Sequence, residues 1–197
     1  MVAARPSSVL ILHGWQNHRP AEHWQHVLAG DLAAAAVSVR YPQLPDPDLP
    51  DPGAWRRMVA AEIAELTGPH RTVIAHSLAT WVVLDLLVAA GHLDIDRILL
   101  AAPVTREVLA ENPPITAFDP GVDDAQIRSA VRSQGNVHVV CSDDDPYWPG
   151  GAAGWAGDIG ATVHLLNGQG HLALADGYGR WDSVRSWVLD GGRIGPR

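Results

Sequence analysis

Short apolar runs alternate with longer amphipathic segments along the chain. The runs hold about four or five residues rich in Val, Ile and Leu, as expected for strands buried on both faces of a sheet. They lie at 9–12, 37–41, 72–75, 98–101, 137–141 and 163–166. Segments with helical spacing lie between or after them, at 21–36, 53–66, 79–90, 123–133 and 178–189. This alternation predicts a three-layer α/β domain, with a mainly parallel sheet of about six strands and helices on both faces. With no internal repeat and no long linker, residues 1–197 are expected to form a single domain.

A serine lies where the third predicted strand meets the following helix. The segment 75–79 reads Ala-His-Ser-Leu-Ala, which is the small-x-Ser-x-small form of a nucleophile elbow at Ser77. Ala75 and Ala79 stand where Gly is usual, and their methyl groups predict a slightly splayed turn. The start of the helix supplies backbone N–H groups, so the N–H of Leu78 is expected to be one oxyanion donor. A serine that only caps the helix is the alternative reading.

Two further polar clusters follow the fifth and sixth predicted strands. Asp143, Asp144 and Asp145 come after the fifth, at the place where an acid that orients a histidine belongs. A solvated turn is the alternative there, because Asp and Pro both favour turns. His171 follows the sixth strand, in a loop whose flanking glycines allow it to reach over the strand ends. The chain order Ser, Asp, His, each directly after a strand, is the one expected for a serine hydrolase on this kind of sheet.

The loop after the first predicted strand completes the site. It reads His13-Gly14-Trp15, and such a loop can present a backbone N–H to the reaction centre. We expect the N–H of Trp15 to be the second oxyanion donor, with Gly14 keeping the backbone accessible. A simple glycine turn is the alternative.

With these motifs in place, the chain resembles the small serine hydrolases of the α/β-hydrolase superfamily that include retinoblastoma-binding protein nine and its bacterial relatives. The motifs that carry the resemblance span nearly the whole chain: 12–15, Trp24, 44–47 with Trp55, 75–79, 142–146 and 170–171. The resemblance implies an α/β-hydrolase-like fold without a large cap domain. It implies Ser77 as nucleophile and His171 as base. It also selects Asp145 as the acid, since the family places Asp directly before Pro, with Asp144 in reserve.

The expected activity is that of a carboxylesterase-like serine hydrolase, which cleaves small acyl esters through an acyl-enzyme and needs no metal or organic cofactor. Without a large cap the acyl pocket is expected to be shallow and to favour short chains. We expect His13, Gly14, Trp148 and Phe118 to line it, together with parts of the segments 42–52 and 104–122.

Composition removes several other functions. The chain contains fourteen Arg and no Lys, which excludes a Schiff base and the lysine of a Walker A loop. A formal charge of −8 argues against a nucleic-acid partner. Cys141 is the single cysteine, so no intramolecular disulfide and no cysteine metal cluster can form. The apolar stretch near the N-terminus is too short for a signal peptide or a membrane span, so we expect a cytoplasmic protein with no membrane partner.

Two rival functions are weighed against the esterase. A hydrolase-fold protein-binding module with little turnover is the alternative if the elbow alanines misalign the oxyanion donors; no sequence feature otherwise indicates a protein partner. A metal hydrolase that uses His13, His18 or His23 with the aspartate cluster is the other. It is disfavoured because no metal-binding histidine spacing occurs.

Overall fold

The computed structural model describes residues 6–197, which form one six-stranded sheet with helices on both faces. All neighbouring strands are parallel, in the order β2-β1-β3-β4-β5-β6. The strands are β1 (Ser8–Leu12), β2 (Ser38–Arg40), β3 (Arg71–His76), β4 (Arg97–Ala101), β5 (Val137–Ser142) and β6 (Thr162–Leu166). The helices are α1 (Trp24–Ala34), α2 (Pro52–Ala64), α3 (Ala79–Ala90), α4 (Arg106–Glu111), α5 (Asp124–Gln134), α6 (Ala153–Asp158) and α7 (Asp182–Asp190). The predicted α/β-hydrolase-like architecture is therefore confirmed.

Alternating side chains of the central strands feed two separate cores. In β1, Leu10 and Leu12 pack in the core that α2 and α3 cover, whereas Val9 and Ile11 pack in the core beneath α1 and α7. Both sets are wholly buried, since a parallel sheet covered by helices on both faces is shielded on both. The sheet is therefore held rigidly, and the loops at its carboxyl edge start from fixed points.

The prediction that every strand is buried on both faces is wrong for β2 and β6. These two strands form the edges of the sheet, and most of their side chains are partly or fully exposed. An edge strand has a neighbour on one side only, and no apolar pattern in a run of three to five residues distinguishes it from a central one.

Helix boundaries also differ from the sequence prediction. Helix α1 begins at Trp24 because His23 caps it, and α7 begins at Asp182, four residues after the predicted start. The short helices α4 and α6 were not predicted, since six residues are too few to show a helical period. Among residues 6–197, no helix is long and apolar enough to cross a membrane.

Candidate active site

Ser77 lies on a sharp turn between β3 and α3. Its φ is +55°, a left-handed conformation that costs a non-glycine residue about 1–2 kcal/mol. The neighbouring structure holds the turn in place. The Ser77 N–H donates to the Ala101 carbonyl at the end of β4 (2.9 Å), and the Thr80 hydroxyl donates to the Ser77 carbonyl (2.7 Å). This geometry presents the Ser77 hydroxyl at the carboxyl edge of the sheet.

Positive φ values gather at the same edge. Among the described non-glycine residues, Gln16 after β1, Ala102 after β4 and Leu172 after β6 also have φ between +45° and +56°. Strained backbone of this kind persists where the surrounding structure enforces it, and it is frequent at active sites. Four loops that border one edge therefore share the same unusual conformation.

A chain of hydrogen bonds connects Ser77, His171 and Asp145. The Ser77 Oγ lies 2.8 Å from the His171 Nε2. The His171 Nδ1 lies 3.0 and 2.9 Å from the two carboxylate oxygens of Asp145. Asp145 is 3% exposed, and its carboxylate accepts only from Nδ1 and from the Tyr147 N–H (2.9 Å) among the described residues. The carboxylate thus requires the tautomer that carries the proton on Nδ1, which leaves Nε2 free to accept from the serine.

The two alanines of the elbow do not prevent this contact. Ala75 and Ala79 are fully buried, one at the end of β3 and one at the start of α3. Their methyl groups fit within the core while the serine-to-histidine distance stays that of a normal hydrogen bond.

The three consecutive aspartates hold successive parts of the histidine loop. Asp143 accepts from the Gly168 N–H at 2.8 Å, and Asp144 accepts from the Gly170 N–H at 2.7 Å. Asp145 contacts His171 itself. The hydroxyl of Ser142 and the Gly170 N–H bond to Asp144 and lower the pKa of that carboxyl. Asp144, the reserve candidate for the acid, therefore anchors the loop and does not touch the histidine.

The loop after β1 packs directly against the serine. A Cβ on Gly14 would lie 2.8 Å from the Ser77 Cβ and 3.3 Å from the His76 carbonyl oxygen, so only glycine fits. Within residues 6–197, the backbone N–H groups of Trp15 and Leu78 donate to no protein acceptor. Both residues line the cavity above Ser77. These two amides are therefore available to a bound oxyanion, as the sequence analysis expects.

Replacing Gly14 with Ala is expected to lower kcat by about 10²-fold, because the new methyl group pushes the Trp15 amide away from Ser77 and one oxyanion donor is worth about that factor. Steady-state hydrolysis of p-nitrophenyl acetate measures the change. Gly30→Ala is the matched control. Gly30 lies in helix α1, and a Cβ added there would have no neighbouring atom within 4 Å. The Gly30→Ala variant should therefore be about 1 kcal/mol more stable and have an unchanged kcat. Equal activity of both variants would contradict the close packing of this loop.

Ser77 opens into a cavity of about 740 Å³. One part of its wall is polar and includes Gln16, Asn17 and His18 from the loop after β1. Another part is apolar and includes Val104, Val108 and Ile115 from the segment after β4. Tyr147, Leu174 and other residues of the β5 and β6 loops complete it. Of the predicted lining residues, Gly14 does line the cavity.

His13, Trp148 and Phe118 do not line the cavity, and these predictions are wrong. The His13 ring is buried; its Nδ1 donates to the Gly14 carbonyl (2.8 Å) and its Nε2 accepts from the Leu44 N–H (2.8 Å). Phe118 packs edge-on against Trp55, and Trp148 packs against Trp155. The large rings bury more apolar surface inside the protein than they would at a cavity wall. Ile115, which precedes Phe118 by three residues, and Tyr147, which is adjacent to Trp148, line the cavity instead.

The Pro-rich segment 42–52 also stays outside the cavity wall. It supports the loop after β1: the Pro47 carbonyl accepts from the Gln16 N–H (2.9 Å), and the Asp48 carbonyl accepts from the Trp15 Nε1–H (3.1 Å). Its contribution to the site is therefore to position the loop.

Two buried histidines, His76 and His23, lie near Ser77 and His171; the sequence analysis gives His76 no role and names His23 only as a possible metal ligand. The His76 Nε2 donates to the carbonyl of His171 (3.0 Å), so the residue before Ser77 holds the backbone of His171. His23 caps helix α1 and lines the cavity. Burial lowers the pKa of His76 well below its usual value and lowers that of His23 to about 4. The sequence analysis predicted neither the N-cap position of His23 nor the contact between His76 and His171, since both depend on tertiary structure.

The stability of the fold is expected to decrease as the pH is lowered from 7 to 5. Burial also lowers the pKa values of His13 and His138 to about 4, whereas these side chains titrate near 6.5 in the unfolded chain. Protonation therefore favours unfolding throughout that window, and the free energy of unfolding should decrease by about 3–6 kcal/mol. Urea titrations followed by tryptophan fluorescence at pH 7, 6 and 5 measure the loss. His138→Gln should make the slope shallower, and a midpoint independent of pH would contradict the prediction.

The residues proposed for a metal do not come together. Among the described residues, no group of three or more His, Cys, Asp or Glu side chains is arranged to hold a metal ion. Both ring nitrogens of His13 are bonded, and His18 pairs with Asp48 away from the aspartate cluster.

Several solved structures share this fold. The ydeN gene product from B. subtilis superposes with a TM-score of 0.74 at 23% identity, over 91% of this chain and 95% of that chain. A putative YdeN-like hydrolase from Pectobacterium atrosepticum gives 0.69 at 17% identity, over 91% and 86% of the two chains. Est1E from Butyrivibrio proteoclasticus, in a structure with ferulic acid bound, gives 0.64 at 14% identity, over 88% and 86%.

The family model described as serine hydrolase matches residues 9–189. A search of curated proteins gives no significant match. The matched range includes all six strands and the hydrogen-bonded Ser77, His171 and Asp145, with only the first residue of β1 outside it. The chain belongs to the serine hydrolase family.

Proposed function

We propose that this protein is a carboxylesterase-like hydrolase of small acyl esters, with Ser77 as nucleophile, His171 as general base and Asp145 as the acid that orients it. The continuous hydrogen-bond chain from Ser77 through His171 to the buried Asp145, at the floor of a cavity, carries the proposal.

Acylation begins when the Ser77 Oγ attacks the ester carbonyl carbon. Its proton moves to the His171 Nε2 as the new O–C bond forms, and the carbonyl π electrons move to oxygen. Asp145 stays ionised and stabilises the imidazolium through Nδ1–H. The N–H groups of Leu78 and Trp15 donate to the oxyanion, and each such donor is worth about 3–4 kcal/mol. When the intermediate collapses, the C–O bond to the alcohol breaks and the alkoxide takes the proton from Nε2.

Deacylation repeats these steps with water. His171 Nε2 accepts a proton from the water as its oxygen attacks the acyl carbon, and the second tetrahedral intermediate forms in the same oxyanion site. Collapse releases the carboxylic acid, and the proton on Nε2 returns to the Ser77 Oγ. The cycle returns Ser77 and His171 to their starting protonation states and requires no cofactor.

The proposed substrates have short acyl chains. The segment between β4 and α5 contains only the short helix α4 and a single 3-10 turn at Thr116–Phe118, so no large cap extends the cavity over Ser77. Across a series of p-nitrophenyl esters, kcat/KM is expected to be highest for short chains. A clear preference for long chains would contradict this assignment.

Fluorophosphonate labelling tests the proposal directly. The wild-type protein should gain one label, which peptide mass spectrometry should find on Ser77. Ser77→Ala and His171→Ala should remain unlabelled while keeping the wild-type circular dichroism spectrum. Absence of label on a folded wild-type protein would favour the alternative, a binding module with little turnover. A label on any other residue would show that the nucleophile is wrongly assigned.

A further inference from the structure

His23 has one free ring nitrogen at the wall of the cavity. The residue is 3% exposed and is the N-cap of helix α1. Its Nδ1 accepts a hydrogen bond from the Gln25 N–H (3.3 Å). Its Nε2 has no protein partner among residues 6–197, although the side chain borders the cavity that contains Ser77.

The cap determines the tautomer of His23. A ring nitrogen that accepts from a backbone N–H cannot carry a proton itself, so the neutral ring carries its proton on Nε2. Burial lowers the pKa of His23 to about 4, and the ring is therefore neutral at pH 7. His23 consequently offers one N–H donor to a molecule that binds in the cavity.

Two successive ring contacts connect His23 to the general base, His171. The His23 ring centroid is 5.7 Å from that of His76, which is 5.1 Å from that of His171. The departing alkoxide must receive its proton from the His171 Nε2, so the alcohol part of an ester lies on the side of the base. The apolar wall of Val104, Val108 and Ile115 suits an acyl chain.

We propose that His23 is a substrate-binding residue whose Nε2–H donates to an oxygen carried by the alcohol part of the ester. The ligand class is thus an ester with an apolar acyl group and an ether, hydroxyl or carbonyl oxygen in its alcohol. Asn17 and His18 border the same cavity and extend its polar wall. The inference rests on the proposed esterase function and adds the specificity of its leaving-group side.

Two esters that differ in a single atom test this specificity. Butyl butyrate and 2-methoxyethyl butyrate have the same length, and the second replaces one CH₂ with an ether oxygen that can only accept. Their kcat/KM values are measured by pH-stat for the wild type, His23→Asn and His23→Ser. Asn and Ser are favoured N-cap residues, so both variants keep a cap for α1, while their shorter side chains no longer place a donor at the position of the His23 Nε2. His26→Asn, at an exposed position of the same helix, is the control.

The ratio of kcat/KM for the ether ester to that for the butyl ester should be about three- to tenfold higher in the wild type than in both His23 variants. Dividing the ratios cancels the intrinsic difference in reactivity between the two alcohols. His26→Asn should keep the wild-type ratio. Equal ratios in all four proteins, or a loss in His26→Asn as well, would overturn the role of His23.

Failure of the esterase proposal would look different. A wild-type protein that reacts with fluorophosphonate but hydrolyses neither ester would overturn the inference about His23 and leave the assignment of Ser77 intact. A folded protein that neither reacts with fluorophosphonate nor hydrolyses either ester would overturn the proposed function, and the inference with it.

Discussion

Ser77→Ala and His171→Ala are each expected to lower kcat by about 10⁵–10⁶-fold, and the double variant should be no less active than either single one. The serine and the base act as one unit across a 2.8 Å hydrogen bond, so removing either member removes the whole nucleophilic pathway. A factor of 10⁶ corresponds to about 8 kcal/mol of transition-state free energy. The residual rate comes from the oxyanion donors and from substrate binding. The kcat values of the wild type and the three variants are measured by steady-state hydrolysis of p-nitrophenyl acetate, corrected for the uncatalysed rate.

Ser133→Ala is the control for this series. Ser133 is an exposed residue on α5, and its loss should change neither kcat nor the melting temperature. If instead the losses of the two single variants multiplied in the double variant, Ser77 and His171 would be acting independently. That result would refute the proposed proton transfer between them.

Asp145→Asn is expected to lower kcat by about 10⁴-fold with the fold unchanged. The amide nitrogen of Asn can donate to the His171 Nδ1, which then becomes an acceptor and carries no proton. The proton of the neutral ring moves to Nε2, and that atom can no longer accept from the Ser77 hydroxyl. The distances of 2.9 and 3.0 Å between Asp145 and Nδ1 make this change of tautomer the dominant effect.

Asp144→Asn is the matched comparison, at the adjacent position. Its carboxylate binds Ser142 and the Gly170 N–H and does not contact His171. The variant should lose less than about tenfold in kcat and should lower the melting temperature, since a neutral amide replaces the charged acceptor of these two hydrogen bonds. A larger loss of kcat in Asp144→Asn than in Asp145→Asn would assign the orienting acid to Asp144.

Local patterns were sufficient for the order of the six strands and the five longer helices along the chain. Each central strand contains a run of three or more apolar residues, because a parallel sheet covered on both faces favours one. The same patterns failed at β2 and β6, where only the lateral position in the sheet determines exposure. Short elements such as α4 also depend on tertiary contacts, since six residues hold little intrinsic helical signal.

Some residues of the candidate site were also predictable from local patterns, whereas others were not. Ser77 and His171 were predictable from position, because each lies in the segment that follows a strand. The loops at the carboxyl ends of parallel strands converge at one edge of the sheet. Among the three aspartates, the residues alone offered no distinction, and the choice of Asp145 came from the resemblance. The geometry distinguishes them through their partners, since only Asp145 contacts the histidine ring.

By itself, the sequence determined the order of the fold and placed a serine, an acid and a histidine after three different strands, because hydrophobic period and strand ends are local properties. Only the tertiary structure decided which side chains border the cavity. His13 and His23 both follow β1, yet His13 turns inward to bind Leu44 and Gly14 while His23 borders the cavity. The difference lies in the hydrogen-bond partners that distant segments contribute. Burial keeps both rings neutral, and it too depends on the tertiary structure. Neither property can be read from the residues next to them in the chain.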